Sequence, residues 1–191
     1  LGYNIFNPAH IGRAALMVSW PVAMTTWTKM TTSIDVVSSA TPLNILKQQG
    51  YGKLIETFGS QTAMYKAMFL GTRNGSIGET STILLIIGGL YLIYRGYISW
   101  QVPVCMIGTV GVITWIFASA GLFTGDPLFN MMAGGLILGA FFMATDMVTI
   151  PITVKGQVIF AVGAGIITSL IRLIGGYPEG VCYSILLMNA V

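Results

Sequence analysis

Long uncharged apolar stretches alternate with short polar breaks along most of this chain. A bilayer core of about 30 Å needs roughly 20 apolar residues per helix, so such stretches mark candidate crossings. Six follow from the pattern, at about 9–28, 80–95, 100–122, 127–145, 157–172 and 178 to the end. Asn7 before Pro8 reads as an N-cap followed by proline at the first helical position, and Pro21 predicts a kink inside the first helix. Thirty uncharged residues separate Arg95 from Asp126, more than one span uses, and Asp126-Pro127 marks the next start. Several of these helices are short for independent spans, which suits a packed bundle with broken ends.

The stretch 29–79 departs from this pattern. Lys29, Asp35, Lys47, Lys53, Glu56, Lys66, Arg73 and Glu79 make up eight of the fifteen charged residues, amid many Thr, Ser and Gln. Such a segment belongs outside the hydrocarbon. Its apolar part, 61–70, is too short to cross and predicts a surface-lying or re-entrant helix. The expected organisation is therefore one all-α polytopic transmembrane domain over 1–191, interrupted by an extramembrane loop at 29–79.

A faint repeat adds a topological expectation. At a constant offset of 123 residues, Phe6, Asn7, Gly12, Met24 and Thr26 match Phe129, Asn130, Gly135, Met147 and Thr149. Three crossings separate the two starts, so the copies would run antiparallel around a shared polar pocket, as in inverted-repeat transporters. A solute permease or channel without any redox cofactor is the function this feature alone would favour.

Composition narrows the classes further. Hydrophobic residues are 54% of the chain and charged residues 8%, against about 25% charged in soluble domains. A soluble globule, a disordered chain and a coiled coil are excluded. The nine basic residues are scattered and the net charge is only +3, so no stripe exists to track nucleic-acid phosphates. Cys105 and Cys182 lie in separate apolar runs, with no CxxC and a single His in the chain. They read as buried thiols, and no metal site is expected. Trp27 and Trp100 read as interfacial-belt residues, Trp20 and Trp115 as packed between helices. The chain starts at Leu1, with 4–10 reading as a loop entering a helix, and further helices are expected upstream.

Candidate chemistry concentrates in the polar segment. Asp35-Val36-Val37-Ser38-Ser39-Ala40-Thr41-Pro42-Leu43 resembles the D-x-x-S/T-G-A-T pattern through which flavin transferases attach FMN to a threonine hydroxyl. Small side chains at Ser38, Ser39 and Ala40 would admit a modifying active site, Asp35 could assist recognition, and Pro42 withholds a backbone donor. The family usually has glycine where this chain has Ser39, and a left-handed backbone there would strain serine. An ordinary Ser/Thr loop ahead of a helix starting at Pro42 explains the same residues.

Several further segments carry the resemblance over essentially the whole chain. They are Asn4-Ile5-Phe6-Asn7-Pro8-Ala9, Met24-Thr25-Thr26-Trp27, Gly78-Glu79-Thr80-Ser81, and Phe142-Met143-Ala144-Thr145-Asp146 followed by Pro151-Ile152-Thr153 and Lys155-Gly156. Together they look like the D subunit family of Rnf electron-transfer complexes, related to the B subunit of the sodium-pumping NADH:quinone reductase. That resemblance implies covalent FMN on Thr41, and electron flow between ferredoxin and NAD coupled to Na⁺ or H⁺ translocation. The implied location is a bacterial or archaeal cytoplasmic membrane, among other Rnf subunits and lipid, with a flavin transferase for maturation.

The resemblance puts the FMN segment on the extracytoplasmic side. The basic residues point the other way: with Arg13, Arg95 and Lys155 inside, Lys29, Lys47, Lys53, Lys66, Arg73 and Arg172 fall outside. Relatives also hold a noncovalent riboflavin through an Asn-x-x-Asn pair, a spacing matched by Asn4 and Asn7. Helix capping accounts for Asn7 equally well. Asp146 is read either as a proton or cation ligand or an acceptor beside that inner flavin, or as an N-cap or partner of Lys155.

Overall fold

The computed structural model describes residues 5–25, 27–28, 38–39, 41–73, 75, 78–120, 126–175 and 180–191, the pairs 27–28 and 38–39 by backbone only. The architecture is all-α. Helix α1 spans Pro8–Ser19, capped as expected by Asn7, whose Oδ1 accepts from the Ala9 amide at 2.9 Å. Pro21 does more than kink the first apolar stretch. Its ring disfavours helical geometry at the residue before it, and Trp20 leaves the helix at φ −133°, ψ 63°, so α2 begins afresh over Pro21–Thr25. Strands β1 (Trp27–Thr28) and β2 (Ser38–Ser39) then pair antiparallel.

The polar segment continues with α3, Pro42–Phe58, and α4, Gln61–Leu70. The short apolar run at 61–70 is thus a helix of its own. Inside α3, Gly50 adopts φ 82°, ψ 173°, a left-handed excursion that splits the helix and that a side chain would resist. Leu54, Met64 and Met68 are fully buried with Leu43, Leu46, Phe129 and Ala133 in a satellite core. Each such side chain contributes about 2 kcal/mol by leaving water.

Helices α5 (Thr82–Tyr94), α6 (Gln101–Ser119), α9 (Val154–Leu173) and α10 (Val181–Asn189) match four of the apolar stretches. By length and composition α6 and α9 can cross a membrane. They pack along each other with α10 on α9, around Val102, Met106, Phe160, Ala161, Ala164 and Ile185. Small residues permit this approach: a Cβ on Gly165 would lie 2.7 Å from Thr109 Cβ and 3.0 Å from the Met106 carbonyl.

The fourth apolar stretch, expected as one helix over 127–145, is instead broken into pieces. Helix α7 covers Pro127–Met132 and α8 Leu136–Leu138, followed by a π-helical turn over Gly139–Met143. Ala133 is extended (φ −81°, ψ 148°) and Gly134 takes φ 63°, which together end α7. The π turn closes through the Ala144 amide on the Gly139 carbonyl at 2.7 Å. Gly139 faces Val181 so closely that a Cβ would come within 2.3 Å of its Cγ1. At the 123-residue offset the elements do not correspond, since Asn7 precedes α1 whereas Asn130 lies within α7. Trp20 and Trp115, expected between helices, are both exposed on the isolated chain, as is Trp100.

Candidate functional site

Thr41 is the N-cap of α3. Its Oγ1 accepts from the Asn44 amide at 3.3 Å, Pro42 fills the first helical position, and the side chain is 9% exposed. The same proline that ends the extended approach of β2 therefore starts the helix and fixes the hydroxyl at its positive end. Thr41 borders a small recess of about 10 Å³, room for about one water, lined also by Pro42, Leu43, Arg73, Gly75, Glu79, Thr80 and Gly134.

Two ionisable residues of this recess were not legible as site residues in the sequence. Arg73 is buried and donates from Nε to the Thr80 carbonyl at 3.1 Å and from Nη2 to the Glu79 carbonyl at 3.0 Å. The Glu79 side chain is buried too, and a Cβ on Gly135 would meet its carboxylate at 3.6 Å. The signal available in advance was only a charged pair in the polar approach to α5, and no spacing rule links positions 73 and 79 to 41.

Of the motif residues before Thr41, Ser38 and Ser39 form β2, opposite Thr28 and Trp27. Ser39 is thus extended, and the left-handed strain that glycine would relieve does not arise. Asp35 and Ala40 lie outside the described residues.

Two cations tie the helices next to the recess together. Arg172, in the last turn of α9, donates from Nη1 to the Asn130 carbonyl at 2.6 Å and from Nη2 to the Ala133 carbonyl at 3.1 Å. It supplies partners that the broken end of α7 lacks within the helix. Lys47 of α3 donates to the Gly175 carbonyl and, at 3.5 Å, to that of Ile171, capping the C-terminal end of α9. Burial lowers the Lys47 ammonium below its ordinary pKa. Tyr65 of α4 donates to Asp126, the N-cap of α7; burial first, and then this bond, push the phenol above its ordinary pKa.

The second predicted cluster is partly assembled. Asn7 Nδ2 donates to Asp146 Oδ2 at 3.4 Å, and Thr149 Oγ1 donates to the same oxygen at 3.3 Å. Asp146 is therefore an acceptor for two polar side chains in the turns after the π turn. Neither alternative expected for it, an N-cap or a bond to Lys155, is what its side chain makes among the described residues. Asn7 both caps α1 and reaches Asp146, so its two readings coexist. Asn4 lies outside the described residues. Cys105 and Cys182 are half-buried and not joined in a disulfide, and no three metal-ligating side chains come together among the described residues.

The family profile described as the NQR2, RnfD, RnfE family matches residues 1–191. This chain belongs to that family. A relative in Clostridium ljungdahlii, named as the D subunit of a proton-translocating ferredoxin:NAD(+) oxidoreductase complex, is 78% identical over 193 residues, covering 100% of this chain and 58% of the relative. One in Acetobacterium woodii, named as the D subunit of a Na(+)-translocating ferredoxin:NAD(+) oxidoreductase complex, is 46% identical over 189 residues, covering 99% of this chain and 55% of the relative. In Stutzerimonas stutzeri the D subunit of an ion-translocating oxidoreductase complex is 37% identical, covering 100% of this chain and 60% of the relative. The chain thus spans under two thirds of the length of these curated relatives. Its whole length is family sequence, and the relatives' names accord with the resemblance to Rnf D subunits.

Proposed function

We propose that this chain is the flavin-bearing membrane part of an ion-translocating ferredoxin:NAD oxidoreductase, carrying FMN as a phosphoester on Thr41 Oγ1. The observation that carries this reading is the position of the Thr41 hydroxyl, at the N-terminus of α3 in a recess walled by the buried Arg73 guanidinium. A phosphodiester there would place a negative charge on its non-bridging oxygens, next to Thr41 Oγ1. Both the aligned peptide dipoles of α3 and the guanidinium favour it there. Arg73 is held by the Glu79 and Thr80 carbonyls, so its charge is already in place and costs no rearrangement. Glu79, buried in the same recess, offsets part of that charge.

When bound, FMN supplies reversible electron acceptance, which no side chain of this chain offers. What the residues contribute is positional. Thr41 fixes the attachment point, Pro42 and Asn44 fix its direction, and the Arg172 and Lys47 contacts fix the recess against α9. A noncovalent riboflavin near Asn7 and Asp146 is the second part of the proposal, since an amide and a carboxylate together satisfy both donors and acceptors of a flavin edge. The exposed apolar residues of α5, α6 and α9, among them Leu84, Ile87, Val112, Trp115, Ile159 and Leu170, are the surface offered to lipid and to other Rnf subunits. In this reading the Thr41 segment faces the extracytoplasmic side of a bacterial or archaeal cytoplasmic membrane, and electron flow drives Na⁺ or H⁺ across it.

The test is an intact-mass measurement of the protein coexpressed with a flavin transferase. An FMN-sized increment in the wild type, absent from Thr41→Ala, is expected. A colourless, unmodified wild type overturns the reading and favours a cofactor-free permease.

A further inference from the structure

His10 is the single histidine of the chain and lies in the first turn of α1. Its side chain is 0% exposed, and neither Nδ1 nor Nε2 has a hydrogen-bond partner among the described residues. A neutral imidazole carries one donor and one acceptor, and burying both unpaired is unfavourable enough to require an explanation. The surroundings supply one. His10 is the third helical residue after the N-cap Asn7, the spacing at which a cap side chain and the first turn adjoin. Asn7 is bonded to Asp146, and Asp146 and Arg13 are the charged groups that act on the ring. From α10, Cys182 Sγ donates to the His10 backbone carbonyl at 3.4 Å, which holds this turn in place but leaves the ring nitrogens untouched.

We propose that His10 is a further ligand residue of the noncovalent flavin site, its imidazole bonding the polar edge of the isoalloxazine beside Asn7 and Asp146. The proposal rests on the inner-flavin reading given above and adds to it a residue that the Asn-x-x-Asn spacing does not contain. The chemistry fits. Such an edge presents carbonyl acceptors next to an N–H donor, a pairing that one imidazole and one carboxylate complete between them. A histidine there also places a group that can take up a proton beside a ring whose electron density rises on reduction, which would raise its midpoint potential.

The experiment uses the purified complex with the wild-type chain, His10→Leu and His10→Gln. It measures acid-released flavin per covalent flavin, and the midpoint potential of the noncovalent pool. Covalent flavin fluorescence at Thr41 serves as the folding control. His10→Leu is expected to retain less than about a tenth of the wild-type noncovalent flavin. His10→Gln, which still donates and accepts, is expected to retain most of it at a lowered potential. Full retention at unchanged potential in either variant overturns the role of His10 and leaves the inner flavin standing. A wild-type complex without noncovalent flavin overturns the inner-flavin reading itself. If His10→Leu loses the covalent fluorescence as well, the potential of the His10→Gln complex decides.

Discussion

The helical body formed by α6, α9 and α10 and the shelf formed by α3, α4 and α7 are held together by different means. In the body, polar side chains mostly turn back onto their own helix: Thr114 on Val110, Thr168 on Ala164, Ser169 on Gly165. Helices approach through small residues, with Thr168 and Ser184 bonded across α9 and α10 at 2.7 Å. The shelf is built as in water. Thr41, Ser60 and Asp126 cap its helices, and a compact aliphatic and methionine core lies between them. Dispersion and close backbone contact stabilise the first, and hydrophobic transfer with capping stabilises the second. The two join through packing of α6 on α7, where Gly111 faces Met131, and through the Arg172 and Lys47 hydrogen bonds.

The contrast can be broken most severely at that junction. Arg172→Met leaves two buried carbonyls without their charged donor and should cost about 3 kcal/mol, lowering both the melting temperature in detergent and the protease resistance of the shelf. If only one region responds, the junction is not shared. Next comes Gly165→Leu, which places carbon atoms against Thr109 and the Met106 carbonyl. About 2 kcal/mol of overpacking is expected, read as an early thermal transition with hydrogen exchange in α4 unchanged; Gly108→Ala, which meets nothing within 4 Å, is the neutral control.

Gly50→Ala reverses the pattern. Forcing a Cβ into a left-handed residue should cost about 1 kcal/mol, visible as faster exchange in α3 while the body melts as before. The smallest effect belongs to Tyr65→Phe, about 1 kcal/mol or less from one partly exposed hydrogen bond. It carries a pH signature. Because the folded phenol titrates above its ordinary value, its stabilisation is complete below about pH 10 and is lost as pH climbs through the folded value. Alkaline loosening of the shelf that persists unchanged in Tyr65→Phe would show that this phenol is not its cause.

Much of this was legible beforehand because charge and length are strong signals in a bilayer-sized pattern. Every apolar stretch contains helix, and the 61–70 segment was recognisable from being too short to cross. What escaped depends on contacts across the chain. The break of the fourth stretch lies at Ala133 and Gly134, in a run whose glycines look like ordinary packing residues. Trp20 and Trp115 turn outward because periodicity does not say which face meets a neighbour. At the candidate site, Thr41 was readable from its local motif. Arg73 and Glu79 were not, since they reach the recess only through the path of the chain after α4. His10 stood out in the sequence only by being alone, and its burial beside Asp146 needed three dimensions to see.

The concealment of Thr41 bears on when the modification proposed for it could occur. A transferase acting on the finished protein would find a hydroxyl that is 9% exposed and already bonded to the first turn of its helix. On the reading proposed above, attachment would then precede the docking of α3, or use a transient opening that releases it. Once the helix had settled, such an ester would be shielded from hydrolysis by the same closure that would have kept the transferase out.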